Sequence, residues 1–381
     1  MRLAFIYGLW SSSGHGKFDI PNLWHARGLT GSESSFFNNV LGLGALGNQV
    51  DVFCDIVERV ERDGVNFYPA ATPCGIDYDA YIVWNEPNVL KSLHGKVKGK
   101  LIVDQQLNDF GYCDKGFEQW MDYFVFPADV HRRFMVDYCK TDLGIDIKKK
   151  STTIAQPTNL SLFAGTEERD PYRLMYCSSP DRGLHHVFEM FLEVRKQIPQ
   201  VTLHIYYEIQ RWFDSLCGYW SEYDRNVKPH PDLVRLAERA RYVKDCISRL
   251  GGNGENGVWV HGNVSNAELA RDMKKSSLLI YPCDPVRFTE GFSVSTLDSC
   301  AAGMIPLITP VDALGDVYKD SGAEIIPGDV SENQNLWQEK ILNLLKEDNQ
   351  ARREKCVSFA SGFSREAIAK KWQSFLKEVC S

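Results

Sequence analysis

In the stretch TEGFSVSTLDSCAAG, residues 289 to 303, two acids, Glu290 and Asp298, bracket a glycine and the start of a helix. Ser293 can cap that helix, and Val294, Leu297 and Ala301 recur at helical spacing, so a purely structural helix is fully specified. Both acids are then left over, apart from a small favourable interaction with the helix dipole. Such a helix start presents the positive end of the dipole, which favours negative charge beside it. Two further loops have the same character. GLTGSE, residues 28 to 33, sets Gly31 and Ser32 at a helix start, and SSPDRGLHHVFEMF, residues 178 to 191, sets Arg182 ahead of Gly183 and a helix. An arginine there can meet phosphate oxygens with its planar fork of donors, although a solvent-exposed arginine is equally common.

Other patterns carry less chemistry. GLGALG, residues 42 to 47, fits the dinucleotide fingerprint letter for letter, but it closes a helix and precedes a strand where the fingerprint must follow a strand and open a helix. DYD at 77 to 79 fits a metal-binding D-x-D yet lies ahead of a strand, whereas ligands gather at the carboxyl ends. His15, His25, His185 and His186 lie in loops, and His15 and His25 are candidates to touch an acceptor; isolated loop histidines are usually just solvated.

The elements that must position these residues alternate strand and helix. Apolar runs at 3–7, 49–54, 80–84, 100–104, 123–127 and 152–157 are interleaved with helices near 33–46 and 129–140. The rhythm repeats with strands at 172–179, 202–207, 258–262, 278–282, 305–309 and 323–327 and helices at 184–197, 266–275 and 293–302. This predicts an α/β chain of two doubly wound domains, each with a parallel sheet. The expected organisation is residues 1–160, then 161–360 with an elaboration at 211–257, then an amphipathic C-terminal helix at 361–381 that packs back on the first domain.

The length, 381 residues, suits two domains, and a formal charge of −7 gives no footprint for a nucleic-acid backbone. Eleven scattered cysteines, without a CxxC pair or zinc-like spacing, read as reduced thiols in a cytoplasmic protein. The opening run MRLAFIYGLW is too short for a signal peptide or a membrane span and reads as a first strand.

In order, GLTGSESSFFNNVLGLGALGNQVDVF, TTIAQPTNLSLF, SSPDRGLHHVFEMF, VWVHGNVSNAELARDMKKSSLLIYP and TEGFSVSTLDSCAAGMIPLITP resemble the successive landmarks of glycosyltransferase family 4. The resemblance implies the GT-B fold, two Rossmann-like domains facing across a cleft, and retaining transfer from a nucleotide sugar (UDP-, GDP- or dTDP-) to a glycan or glycoconjugate hydroxyl. It implies that Glu290 contacts donor-sugar hydroxyls and Asp298 the ribose, while the amides of Gly291, Phe292 and Ser293 face sugar and diphosphate. Gly31, with Ser32, falls where the family's glycine loop faces the donor phosphates.

Three departures stand out. Asp298 replaces the family's second glutamate. The usual basic pair after the first strand of domain two is reduced to Arg182, its partner falling at Tyr176 or Cys177, so that Arg287 becomes an alternative cation. Gln105 and Gln106 stand where a histidine near the transferred sugar is usual. The implied mechanism is a front-face displacement in which the leaving phosphate takes the acceptor's proton, with positioning and electrostatics carrying catalysis, and with no metal and no resident cofactor.

The acceptor is least specified. Trp10, Trp24 and the aromatics of residues 206–223 can stack on sugar rings or simply pack a core. Lys91, Lys96, Lys98, Lys100, Arg132, Arg133 and Lys148 to Lys150 can meet an anionic membrane surface or form a solvated basic face. Two alternatives to a transferase stand: a nucleotide-sugar epimerase or hydrolase on the same scaffold, and a catalytically silent nucleotide-sugar binding protein.

Overall fold

The computed structural model describes residues 1–7, 17–222 and 231–381. The chain divides into two compact units, Met1–Leu160 with Gly362–Ser381, and Ser161–Ser361.

In the first unit the strands are β1 (Arg2–Tyr7), β2 (Gln49–Cys54), β3 (Val60–Arg62), β4 (Val65–Pro69), β5 (Ala80–Trp84), β6 (Lys100–Asp104), β7 (Tyr123–Phe126) and β8 (Ser151–Thr153). Among the described residues they form one sheet in the order β3-β4-β2-β1-β5-β6-β7-β8. Every pairing is parallel except β3 with β4. That hairpin was not foreseen. Its turn is Asp63-Gly64, both at positive φ (51° and 75°), and Asp-Gly between strand formers is the sequence signal that would have revealed it.

The helices of this unit are α1 (Gly31–Ala45), α2 (Asp129–Asp142) and, from the C-terminus, α11 (Arg365–Cys380). The glycines of the GLGALG run end α1, as expected: Gly47 sits at φ 82° and donates to the Gly44 carbonyl. Gly42 and Gly44 have a packing role. A Cβ on Gly42 would lie 2.9 Å from the Cβ of Ala369 in α11, and one on Gly44 would lie 2.5 Å from Val65. Arg365 Nε also donates to Asn38 Oδ1 at 3.0 Å, fixing α11 along α1.

The second unit holds β9 (Arg173–Tyr176), β10 (Thr202–Ile205), β11 (Val258–Val260), β12 (Leu278–Tyr281), β13 (Ile305–Ile308) and β14 (Glu324–Ile325), ordered β11-β10-β9-β12-β13-β14 and parallel throughout. Its helices are α3 (Leu184–Gln197), α4 (Ile209–Glu222), α5 (Pro231–Leu250), α6 (Asn266–Lys275), α7 (Val294–Ala301), α8 (Leu314–Tyr318), α9 (Gln334–Lys346) and α10 (Gln350–Ser361). The strand order reverses between β9 and β12, which makes their carboxyl ends the place where an open parallel sheet binds ligands. In the first unit the equivalent reversal lies between β1 and β5. No helix among the described residues is long and apolar enough to cross a membrane.

Candidate functional site

Tyr176 ends β9 and Tyr281 ends β12, so the loops that follow them meet at the reversal point of the second sheet. The β9 loop makes a short turn, Pro180–Arg182, before Gly183 opens α3. Gly183 has φ 121°, and a Cβ there would lie 2.0 Å from the Pro282 carbonyl oxygen. Only glycine lets the turn lie directly on the end of β12. Gly183→Ala is therefore expected to cost on the order of 4 kcal/mol, from backbone strain plus overpacking. Chemical denaturation would check this, and an unchanged midpoint would refute the packing account.

This close approach brings Arg182 to Glu290. Arg182 Nη1 donates to Glu290 Oε2 at 2.8 Å, and Tyr281 Oη donates to the same oxygen. Glu290 is 5 % exposed. Burial opposes the charge on Arg182, but the attraction of Glu290 outweighs it and holds the guanidinium protonated well above its ordinary range. Burial, then the neighbouring Cys283 and Glu290, pushes the Tyr281 hydroxyl well up, so it stays a neutral donor. Two polar atoms remain without a hydrogen-bond partner among the described residues. Arg182 Nε–H is buried and has no acceptor, and Glu290 Oε1 accepts from none of them.

Glu290 is also fixed through its backbone. Asp312, at φ 52°, accepts from the N–H groups of Thr289 and Glu290, each at 2.9 Å, and the Ala313 N–H donates to the Glu290 carbonyl. Burial raises the Asp312 carboxyl even though those two amides favour its charged form. Next, Gly291, Phe292 and Ser293 lead into α7, all buried. Ser293 caps the helix as expected, its Oγ accepting from the Thr296 N–H, but it does so at φ 74°. A non-glycine residue in that region stores about 1–3 kcal/mol and commonly marks a ligand site. Tyr318 Oη pins the strained residue by donating to its carbonyl at 2.6 Å.

Asp298 lies one turn further along α7, half-buried and close enough to Cys177 to act on it electrostatically. Cys177, one of the two positions where a second cation would fall, is instead a thiol pushed up by burial and then by Asp298. Tyr176, the other, donates to the Ser179 carbonyl at 2.7 Å. Arg287 is exposed on the 282–290 loop.

The elaboration supplies a residue that the sequence reading missed. Arg239 of α5 donates to the carbonyls of Asp181 and Asp284 and, at 2.7 Å, to Asp284 Oδ2, tying both loops together. His185 and His186 stand in the first turn of α3 and not in a loop, with His186 Nε2 3.0 Å and His185 Nε2 3.7 Å from the same Asp284 oxygen. Among the described residues these three form the grouping with metal-like proximity. With Arg239 already on the carboxylate, they read as a clamp between loops. Burial, then repulsion from His186 and Arg239, lowers His185 to about 3, so it is neutral at physiological pH. Nothing local in the sequence announces Arg239.

In the first unit the expected residues are distributed differently. Gly31 and Ser32 do open α1, but Thr30 and Glu33 close a capping box around them: Glu33 N–H donates to Thr30 Oγ1 at 3.2 Å and Thr30 N–H to Glu33 Oε2 at 2.7 Å. Glu33 is 2 % exposed and also accepts from Tyr7 Oη and Arg27. This helix end thus carries its own counter-charge. The Thr-x-x-Glu spacing is the signature that would have shown it. Gln105 is fully buried, its amide nitrogen donating to the Leu107 carbonyl at 2.9 Å, while Gln106, one residue on, is half-buried.

His25 is exposed, and His15 and Trp10 lie outside the described residues. Trp24 is buried beneath Arg365, so it packs a core and offers no face to a sugar. The DYD acids are exposed at the amino end of β5, where Asp79 accepts from the Arg2 N–H. Several of the basic residues are already engaged: Lys91 with Asp114, Arg132 and Arg133 with Asp129, and Lys150 with the Glu118 and Met121 carbonyls.

Solved structures share this architecture. A sucrose-phosphate synthase from Thermosynechococcus elongatus superposes with a TM-score of 0.64 over 100% of this chain and 99% of its own, at 12% identity. The fold is GT-B. An α,α-trehalose-phosphate synthase (UDP-forming) from Burkholderia xenovorans, in complex with glucose-6-phosphate, gives 0.68 over 99% of this chain and 100% of its own, at 10% identity. The pneumococcal O-GlcNAc transferase GtfA, in complex with UDP and GlcNAc, gives 0.55 at 16% identity over 79% of this chain. This chain spans 57% of GtfA's length, less than two-thirds. No family model matches the sequence, and no curated protein matches it.

Proposed function

We propose that the chain is a retaining glycosyltransferase of the family 4 type, moving a sugar from a nucleoside-diphosphate sugar to a hydroxyl of a glycan or glycoconjugate. The observation that carries this reading is the Arg182–Glu290–Tyr281 grouping at the reversal point of the second sheet, beside the N-terminus of α7. Its polar atoms without partners are complementary to a nucleotide sugar. Arg182 Nε–H suits a diphosphate oxygen, and Glu290 Oε1 suits a sugar hydroxyl. Asp298, one turn along α7, is assigned to the ribose, and the amides of Gly291 to Ser293 to the sugar and diphosphate.

On this reading the acceptor oxygen bonds to the anomeric carbon on the face that the diphosphate leaves. The carbon–oxygen bond to the diphosphate breaks with its electron pair, and the departing phosphate takes the acceptor's proton. Arg182 and the α7 terminus stabilise the charge that develops on the leaving group, so no metal is required. UDP-sugars are the first donors to try, because among the structurally similar proteins one is in complex with UDP and GlcNAc and another is UDP-forming.

Proton NMR of the product from a single turnover mixture tests the chemistry. Formation of a glycoside with the donor's anomeric configuration is expected. An inverted product would refute retention, and free sugar or an epimerised donor with every acceptor would favour the hydrolase or epimerase alternative.

A further inference from the structure

At the reversal point of the first sheet, Tyr7, Trp84 and Asp104 form a row. Tyr7 pairs in register with Trp84, and Trp84 with Asp104, at the carboxyl ends of β1, β5 and β6. Register neighbours in a parallel sheet share a face. Tyr7 and Trp84 stack, with ring centroids 4.7 Å apart and planes 12° from parallel. Asp104 is 4 % exposed and accepts at Oδ1 from Gln106 Nε2 at 2.5 Å, while Gln156 Nε2 in turn donates to Gln106 Oε1. Asn85, at φ 62°, holds the turn by accepting from the Gln106 N–H at 2.6 Å.

Two features of this row are costly to the fold. Asp104 is a carboxylate taken out of water with one hydrogen bond and no Lys or Arg partner among the described residues, a costly placement. Its register neighbour Trp84, 5 % exposed, has an indole N–H that is buried without an acceptor. A buried acceptor beside a buried, unsatisfied donor is the complement of a hydroxyl, which donates and accepts through one oxygen. The two glutamines extend the line of groups suited to further hydroxyls. Burial raises the Asp104 carboxyl to about 7, and the Gln106 hydrogen bond opposes this.

We infer that the carboxyl end of the first sheet, at Asp104, Gln106 and Gln156 beside Trp84, is a subsite for an uncharged polyhydroxy ligand and rejects its phosphorylated form. Naming that ligand as the acceptor rests on the transferase reading; the subsite itself does not. A phosphate would bring its charge to Asp104, which has no Lys or Arg partner among the described residues to offset it. Neutral sugar hydroxyls meet groups of matched polarity.

Saturation-transfer NMR on the full chain, without any nucleotide sugar, separates the two ideas. Glucose and N-acetylglucosamine are compared with glucose 6-phosphate, on the wild type and on Asp104→Asn and Gln156→Ala. At least one neutral sugar is expected to bind, at least tenfold more tightly than the phosphate, and both substitutions are expected to weaken it at least tenfold while melting cooperatively. Preference for the phosphate, binding indifferent to both substitutions, or no binding by either neutral sugar would overturn the assignment. Because no donor is present, failure of the donor reading leaves this result intact, and the wild-type preference stands even if a variant does not fold.

Discussion

Arg182→Ala is expected to lower stability by about 3 kcal/mol, even in the absence of any ligand. The cause is the carboxylate left behind. Glu290 is 5 % exposed and shares Oε2 between Arg182 and Tyr281, so removing the arginine strands a buried charge on one neutral donor. The arginine side chain is itself 27% exposed, which places the loss at the lower end of the range for fully buried pairs. Pairing the substitution with Glu290→Gln removes the stranded charge, and the double variant is expected to recover at least half of the loss. Thermal melts of the four proteins form a double-mutant cycle. Additive losses would mean that the two residues do not act on each other.

Asp104→Asn is expected to act in the opposite direction and with comparable size. The folded-state value of about 7, against an ordinary 3.8, means that the native chain holds a proton that the unfolded chain releases between those two values. Stability therefore falls as pH rises through that window, and the full penalty, on the order of 4 kcal/mol, stands above pH 7. Asparagine keeps the oxygen that accepts from Gln106 and removes the ionisation. The variant should be more stable than the wild type at pH 8 and close to it at pH 4. Urea denaturation at the two pH values reads the difference, and a gain independent of pH would show that the carboxyl is not the titrating group. Stability gained together with sugar binding lost is the pattern of a residue kept for function.

Both effects depend on contacts that are remote in sequence, which is why they were illegible there. The strand runs and the glycine-closed first helix could be read because each is a local pattern: alternation, a cap, Gly47 at a helix end. The start of α7 was legible for the same reason, with Ser293 at its cap and Val294, Leu297 and Ala301 facing the core. Arg182 and Glu290 could each be singled out by their loops, but their pairing depends on β9 lying beside β12 and on Gly183 touching Pro282. Arg239 enters from a helix that no motif marks. Asp104 reads in sequence as an ordinary strand end; only the register that sets it beside Trp84 exposes the cost of its burial. The Thr30–Glu33 box and the Asp63-Gly64 turn were legible and went unread, and the first of these changes the chemistry expected at Gly31.

Binding of a nucleotide sugar at Arg182 and Glu290 is what the proposed function requires first. Its most direct test is the melting temperature of the wild type, Arg182→Ala and Glu290→Ala, each against its own ligand-free baseline, across UDP-, GDP- and dTDP-sugars. A ligand at ~100 times its dissociation constant stabilises by roughly 2.7 kcal/mol. A rise of that size with one nucleotide sugar in the wild type, absent from both variants, is the expected result. No rise with any of them, or a rise that survives in both variants, would contradict the claim.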